Sequence, residues 1–406
     1  MRFIATFVAL AMTISAAHAA TLNALFSFNT QNGARPRGSL IADASGNLFG
    51  TTELGGAFEF GTVFKLDRSG ALTTLVSFDG QNGVVPLSSL IFDTSGSLFG
   101  TTASGGAFGG GTVFKLDATG VLTTLVDFDF QNGAAPFAGL IADTSGNLFG
   151  TTAGGGTLGF GTVFKIDTTG TLTTFDIKNG ALPRGGVILD ASGNLFGTTE
   201  IGGPLNAGSV FKIDTTGVFT TLFEFNIQNG SLPQAGLVAD IAGNLFGTTE
   251  SGGAFGFGTV FKLDTNGVLT TLVNFNGENG DTPRGSLISD ASGNLFGTTA
   301  FGGASNAGIV FKIDTTGALT TVVDFDGTNG ANSFASLFAD ASGNLFGTTV
   351  FGGAFGAGTV FRVSNAGFNV GGAIPEPASW AMMVFGFGLV GATLRRRQHR
   401  LTVAPA

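Results

Sequence analysis

Cysteine and tyrosine are missing altogether from these 406 residues, tryptophan occurs once and histidine twice. Without cysteine there is no disulfide, no thiolate metal site and no thiol nucleophile. Both histidines, His18 and His399, sit close to the ends. A histidine-based triad, proton shuttle or metal site therefore has no place in the long central body. Charge is sparse as well, at 11%. Set aside Arg2, Arg395, Arg396, Arg397, Arg400 and Glu376, and thirteen bases face twenty-six acids in the body. An acidic body with no basic stripe argues against nucleic acid and anionic lipid headgroups as partners. A chain without disulfides has to be held by its core.

What the sequence has in excess is glycine (69) and phenylalanine (43), and both are periodic. Leu-Phe-Gly-Thr recurs at Leu48, Leu98, Leu148, Leu195, Leu245, Leu295 and Leu345, at spacings of 50, 50, 47, 50, 50 and 50. Such self-similarity overrides length as a guide to architecture. One unit holds four apolar segments: Ser89–Asp93, Ser97–Thr102, Thr112–Asp117 and Leu122–Phe128. Each has strand length and is rich in Val, Ile, Phe, Thr and Leu, and glycines interrupt any helical period. Between them, Asp-x-Ser-Gly and Asp-x-Thr-Gly supply the capping side chain and the left-handed glycine of a tight antiparallel turn. Four antiparallel strands per unit is the pattern of one propeller blade.

The order of the copies predicts how the ring closes. The fourth segment appears first, as Leu22–Phe28, before any other. After the last third segment, Thr359–Val363, the pattern decays into Ser364-Asn365-Ala366-Gly367. The seventh blade thus lacks its own outer strand, and the N-terminal segment can supply it. An open solenoid would have no use for that offset, whereas a closed ring removes exposed edges. The expectation is an all-β, seven-bladed β-propeller over residues 20–370.

The ends carry addresses. Arg2, the apolar run Phe3–Ile14 and the small residues Ala17 and Ala19 make a secretory signal over residues 1–19, with the mature chain starting at Ala20. The run is short for an uncleaved anchor. Near the other end, a linker over 371–380 contains Pro375, Glu376, Pro377 and Trp380. An apolar segment over 381–394 follows, then Arg395, Arg396 and Arg397 in a basic tail over 395–406. This predicts a single membrane-anchor helix with its arginines held in the cytoplasm.

The tail resembles the PEP-CTERM sorting signal of Gram-negative bacteria. That resemblance implies recognition by a membrane-embedded exosortase, cutting near Pro375–Pro377, and release or re-anchoring at the surface, often beside exopolysaccharide. The repeat, through Asn-Leu-Phe-Gly-Thr-Thr, Gly-Gly and Gly-Thr-Val-Phe-Lys-Leu, resembles the bacterial GloVer tandem repeat over nearly all of residues 21–363. That resemblance implies export and no established catalytic activity.

Residues present in every unit are expected to be structural. Asp43, Asp93, Asp143, Asp190, Asp240, Asp290 and Asp340 should cap turns. Lys65, Lys115, Lys165, Lys212, Lys262, Lys312 and Arg362 should find partners inside the blade, a repeated Asp being the natural one. The turns lack the dense carboxylate ligation of a calcium site, so no metal or other cofactor is expected. A functional site must break the symmetry. Glu53, Glu200 and Glu250 stand after the second strand where other units have Ala or Val, and Arg35, Arg37, Arg184 and Arg284 lie in connections entering blades one, four and six. Glu59, Lys178, Glu278 and Asp281 also depart from the pattern. Propeller topology would gather these residues around the channel mouth, with Phe58, Phe60, Phe160, Phe257, Phe301 and Phe351 nearby.

Three function classes follow. The first is an exported, non-enzymatic surface or matrix module processed by signal peptidase and exosortase, with exopolysaccharide or a surface protein as partner. The second is a lectin-like or peptide-binding receptor, and the third a carboxylate-dependent polysaccharide hydrolase or lyase. The precursor would be held in the inner membrane before reaching the surface or the medium.

Overall fold

The computed structural model describes residues 19–371. The signal region up to His18, the Pro375–Trp380 motif, the apolar segment and the arginine tail lie outside the described residues, so the expected anchor helix does too. Among the described residues there is no helix, and hence none long and apolar enough to cross a membrane.

Seven four-stranded antiparallel sheets make up the body. In six of them the four strands are consecutive in the chain. In the seventh, Thr21–Ser27 pairs with Thr359–Ser364, from Thr21 opposite Ser364 to Ser27 opposite Thr359. The ring is closed by the N-terminal strand, as the offset of the repeat predicts.

The Leu-Phe-Gly-Thr motif has a packing cause. Gly100 lies across the ladder from Phe114, and a Cβ on it would sit 2.6 Å from that ring's Cζ and 2.8 Å from Leu90 Cδ2. A side chain there has nowhere to go. Phe114 is fully buried and meets Phe78 of the preceding blade at 5.3 Å, edge to face. The same pairing recurs as Phe28–Phe64, Phe128–Phe164, Phe225–Phe261, Phe275–Phe311 and Phe325–Phe361. Only the seam between blades three and four differs, with Ile177 in place of phenylalanine. Seven apolar clusters result, one in each seam between blades.

The turn aspartates cap as expected. Asp43 Oδ1 accepts from the Asn47 amide and Oδ2 from its side chain, and Gly46 closes the turn at φ 75°. In the outer turns Asp67 accepts from the Ser69 hydroxyl and from the Ser69 and Ala71 amides, which hold its carboxyl below the ordinary value.

Two expectations are corrected. The strand-three lysines do not rely on aspartate, since only Lys115 reaches one, Asp93 at 3.6 Å. Each of the six instead lies over the phenylalanine opposite it in strand two, from 5.2 Å for Lys115–Phe99 to 5.9 Å for Lys262–Phe246. Cross-strand register decides this, because Phe49 and Lys65 are direct partners and the turn aspartate is displaced from both. The innermost strands are also shorter than the five residues expected, with Ile91–Phe92 standing for Ser89–Asp93. The residues before them spend their carbonyls across the seam: Thr51 donates to Ser88 O at 2.9 Å and Thr348 to Gly38 O at 3.2 Å. Those carbonyls line the channel rather than extend a ladder.

Because strands alternate in direction, the loops joining second to third strands and the connections between blades share one face. The first-to-second and third-to-fourth turns share the other. Thr21 and Ser364 pair at that second face. The chain then docks there, with Asn369 donating to Asp290 Oδ2 and Phe368 packing on Phe296 at 5.1 Å.

Candidate functional site at the channel mouth

Entry to each blade passes through a residue with positive φ: Arg35, Val85, Ala135, Leu182, Leu232, Thr282 and Asn332, at 55–58°. Left-handed backbone is unfavourable for such side chains, above all for β-branched Val85 and Thr282. It is held by two hydrogen bonds per blade. The Arg35 amide donates to Ala357 O, and Arg35 O accepts from the Glu53 amide. This second bond pins the residue after strand two beside the residue two places beyond the kink. Where one blade carries glutamate in the first position and arginine in the second, as blades one and four do, the two therefore meet.

Arg–Glu pairs form three times at the mouth, twice by this route and once across a seam. Arg37 Nε lies 2.7 Å from Glu53 Oε2, Arg184 Nε 2.5 Å from Glu200 Oε2, and Arg284 Nη2 2.6 Å from Glu250 Oε1. The first two pairs lie within a blade, and the third joins blades five and six. Gln234 donates to Glu200 Oε1 at 3.1 Å across the next seam. Six of the eight expected ligand-face residues are thus brought together, and all three arginines line a depression of about 230 Å³ on the channel axis. Arg35 stays outside it, its guanidinium 5.4 Å from the Phe351 ring. Glu59 stands on an exposed loop at φ 64°. Lys178, Glu278 and Asp281 do not line the depression either.

The aromatic part of the expectation is corrected as well. Phe58, Phe60, Phe160, Phe257, Phe301 and Phe351 are exposed on this face but do not line the depression. The rings that do are Phe137 and Phe334. Arg37 and Arg284 lie over Phe334 at 5.1 and 4.9 Å, and Arg184 over Phe137 at 5.0 Å. Each guanidinium is therefore fixed by a carboxylate at its edge and a ring at its face. In repeat register the mouth reads Arg37, Leu87, Phe137, Arg184, Gln234, Arg284 and Phe334, with no two neighbours alike. Variation in that single column is the signal that would have found Gln234, Phe137 and Phe334. Among the described residues no group of three or more His, Asp or Glu side chains could hold a metal ion.

The Gloeobacter/Verrucomicrobia repeat matches residues 11–188 and again 183–371. The chain belongs to that repeat family. A PEP-CTERM protein-sorting motif matches residues 373–397, which marks this repeat-family member as an exported, envelope-targeted protein processed by exosortase. No curated protein matches the chain. Among solved structures it is similar to a streptogramin B lyase, with 16% identity, TM-score 0.60, and coverage of 85% of this chain and 97% of that one. The virginiamycin B lyase of Staphylococcus aureus is similar at 13% identity and TM-score 0.56, covering 85% and 99%. The extracellular domain of a candidate one component system from B. thetaiotaomicron is similar at 13% identity and TM-score 0.57, covering 82% of this chain and 38% of that one. At these identities the likeness shows the propeller fold alone.

Proposed function

We propose that this repeat-family propeller is a non-enzymatic interaction module displayed at the cell surface or in the extracellular matrix, where the channel mouth engages exopolysaccharide. The observation that carries this reading is the convergence of three Arg–Glu pairs on one mouth of an otherwise repetitive ring. A propeller needs no such asymmetry to close, since blade two closes its share with Leu87 and Ala103. Each glutamate is engaged by a cation or an amide, an arrangement that positions hydrogen-bonding groups but favours neither a general acid nor a free base. In the proposed layout, residues 1–19 are removed as a signal peptide and residues 371–406 serve as linker, anchor and tail until exosortase acts. Both ends of the propeller leave from the face opposite the mouth, which would turn the mouth away from the membrane in the anchored precursor.

The test is fractionation of the native host with and without its exosortase, with intact mass and co-sedimentation against extracellular polysaccharide. The expected result is a chain lacking the residues beyond the Pro375 region, outside the cell, sedimenting with the polysaccharide only when exosortase is present. A chain that stays free of polysaccharide in both strains would overturn the reading.

A hydrolase or lyase has one observation in its favour: Glu200 and Glu250 stand in adjacent blades on either side of Gln234, and paired carboxylates are the minimum for glycosidic chemistry. Polysaccharide turnover abolished in Glu250→Gln would establish it.

A further inference from the structure

Three arginines line the depression, and each has N–H groups to spare. Arg37 and Arg184 spend Nε on their glutamates and Arg284 spends Nη2, which leaves both Nη groups of the first two and Nη1 of the third without an acceptor among the described residues. The arginine side chains are 30–38% exposed against 12–17% for the glutamates, none of which lines the depression. The surface of the mouth is therefore cationic, with the neutralising carboxylates set behind it. Arg37 and Arg284 share one ring, Phe334, which holds two like charges close together. The channel wall opposes an anion less than its carbonyls suggest. Seven threonines occupy one column of the second strands, and six of them donate across a seam to a wall carbonyl of the next blade, as Thr151 does to Gly185 O at 3.1 Å and Thr198 to Ala235 O at 3.0 Å. Of the seven hydroxyls only that of Thr248 has no partner.

From this lining, and resting on the proposed function, we infer that the depression binds one carboxylate-bearing ring, an acidic sugar unit of a glycan. A carboxylate is planar and accepts two parallel N–H bonds, which matches the free Nη edge of Arg37 or Arg184. Set between Arg37 and Arg284, it also offsets their mutual repulsion. Ser39, Ser89, Gln234, Ser286 and Ser336 add neutral donors and acceptors for the ring hydroxyls. At about 230 Å³ the depression is smaller than the pockets of roughly 300–1,000 Å³ that enclose drug-sized ligands, which limits it to one small ring. The surroundings limit charge density. Glu59, Asp79, Asp129, Glu278, Asp281 and Asp326 stand on the same face outside the depression. They repel a polymer charged on every unit, whereas an isolated carboxylate is screened from them beyond roughly 8–10 Å. The glycan that fits carries its acids on well-separated units.

The test is calorimetric titration of the full chain in a polyoxyethylene detergent at low ionic strength. The probes are a disaccharide of glucuronic acid and a neutral hexose, the same disaccharide with its carboxyl reduced to the alcohol, and inorganic sulfate. The acidic disaccharide should bind, and its reduced form at least tenfold more weakly. Leu87 lines the depression and touches none of the ion pairs, so it reads charge without disturbing them. Leu87→Arg should tighten the acidic probe at least threefold and Leu87→Glu weaken it at least tenfold. Arg37→Gln, whose amide can still donate to Glu53, should weaken it at least tenfold with no change in the secondary-structure spectrum. Equal affinity for the reduced disaccharide, or indifference to the charge at position 87, would overturn the acidic assignment. Sulfate binding as tightly as the acidic disaccharide would overturn the sugar assignment and leave an anion hole. Failure of every probe, in a chain that still sediments with the native polysaccharide, would overturn the site and spare the proposed function; failure of both would remove the two together.

Discussion

Two rings of side chains run around this propeller, one inside the seams and one at the mouth. Inside the seams each blade repeats its neighbour: a glycine under a phenylalanine, and that phenylalanine edge-on to another, with Ile177 the single exception. At the mouth the same structural position holds arginine, leucine, phenylalanine or glutamine. Identity around the inner ring is what a closed, sevenfold packing problem demands, because every seam must accept the same shape. The outer ring faces solvent and solves no packing problem, so its sequence is free to specify a ligand.

The largest effect should come from the inner ring. Phe128→Ala empties the core of the seam between blades two and three, away from the charged arc, and is expected to cost about 3–5 kcal/mol in chemical denaturation, with sugar affinity unchanged. A variant that kept its stability but lost its ligand would break the division between the rings. Gly100→Ala adds one methyl against Phe114 and Leu90 and should cost about 1–3 kcal/mol through overpacking; a neutral result would mean that the ring can move aside. The smallest effect belongs to the outer ring. Leu87→Arg with Ala103→Glu writes a fourth ion pair into blade two and should change stability by less than about 1 kcal/mol. A loss of several kcal/mol in thermal melts would show that the mouth is packed as strictly as the seams.

The inner ring is also the part that sequence reasoning reads well. Strand number and turn chemistry follow from composition within one unit, and the number of blades and the borrowed strand from the count and order of the copies. Partner choice was less legible. Lys65 and its equivalents suggested aspartate, yet register sets them opposite phenylalanine. The three Arg–Glu pairs were foreseeable as departures from consensus, but Arg284 with Glu250 spans two blades, a contact that depends on the curvature of the ring. Gln234, Phe137 and Phe334 escaped notice because their chemistry is unremarkable outside their column. Thr248 could not be seen at all, since its sequence surroundings match those of six threonines that are satisfied.

The borrowed strand sets an order on assembly. Its contacts join residues 327 positions apart, as between Ala354 and Ser27, so the two halves of the latch are the first and the last segments of the propeller to leave the ribosome. Blades one to six can zip locally as they emerge, but the circle stays open until Thr359–Ser364 arrives, and loop-closure entropy is then met in a single step. Until Thr21–Ser27 pairs with it, Thr359–Ser364 has a bare edge, able to take the same strand from a neighbouring copy. Crowding at the exit matters, because it decides whether each latch closes on its own ring or on another's.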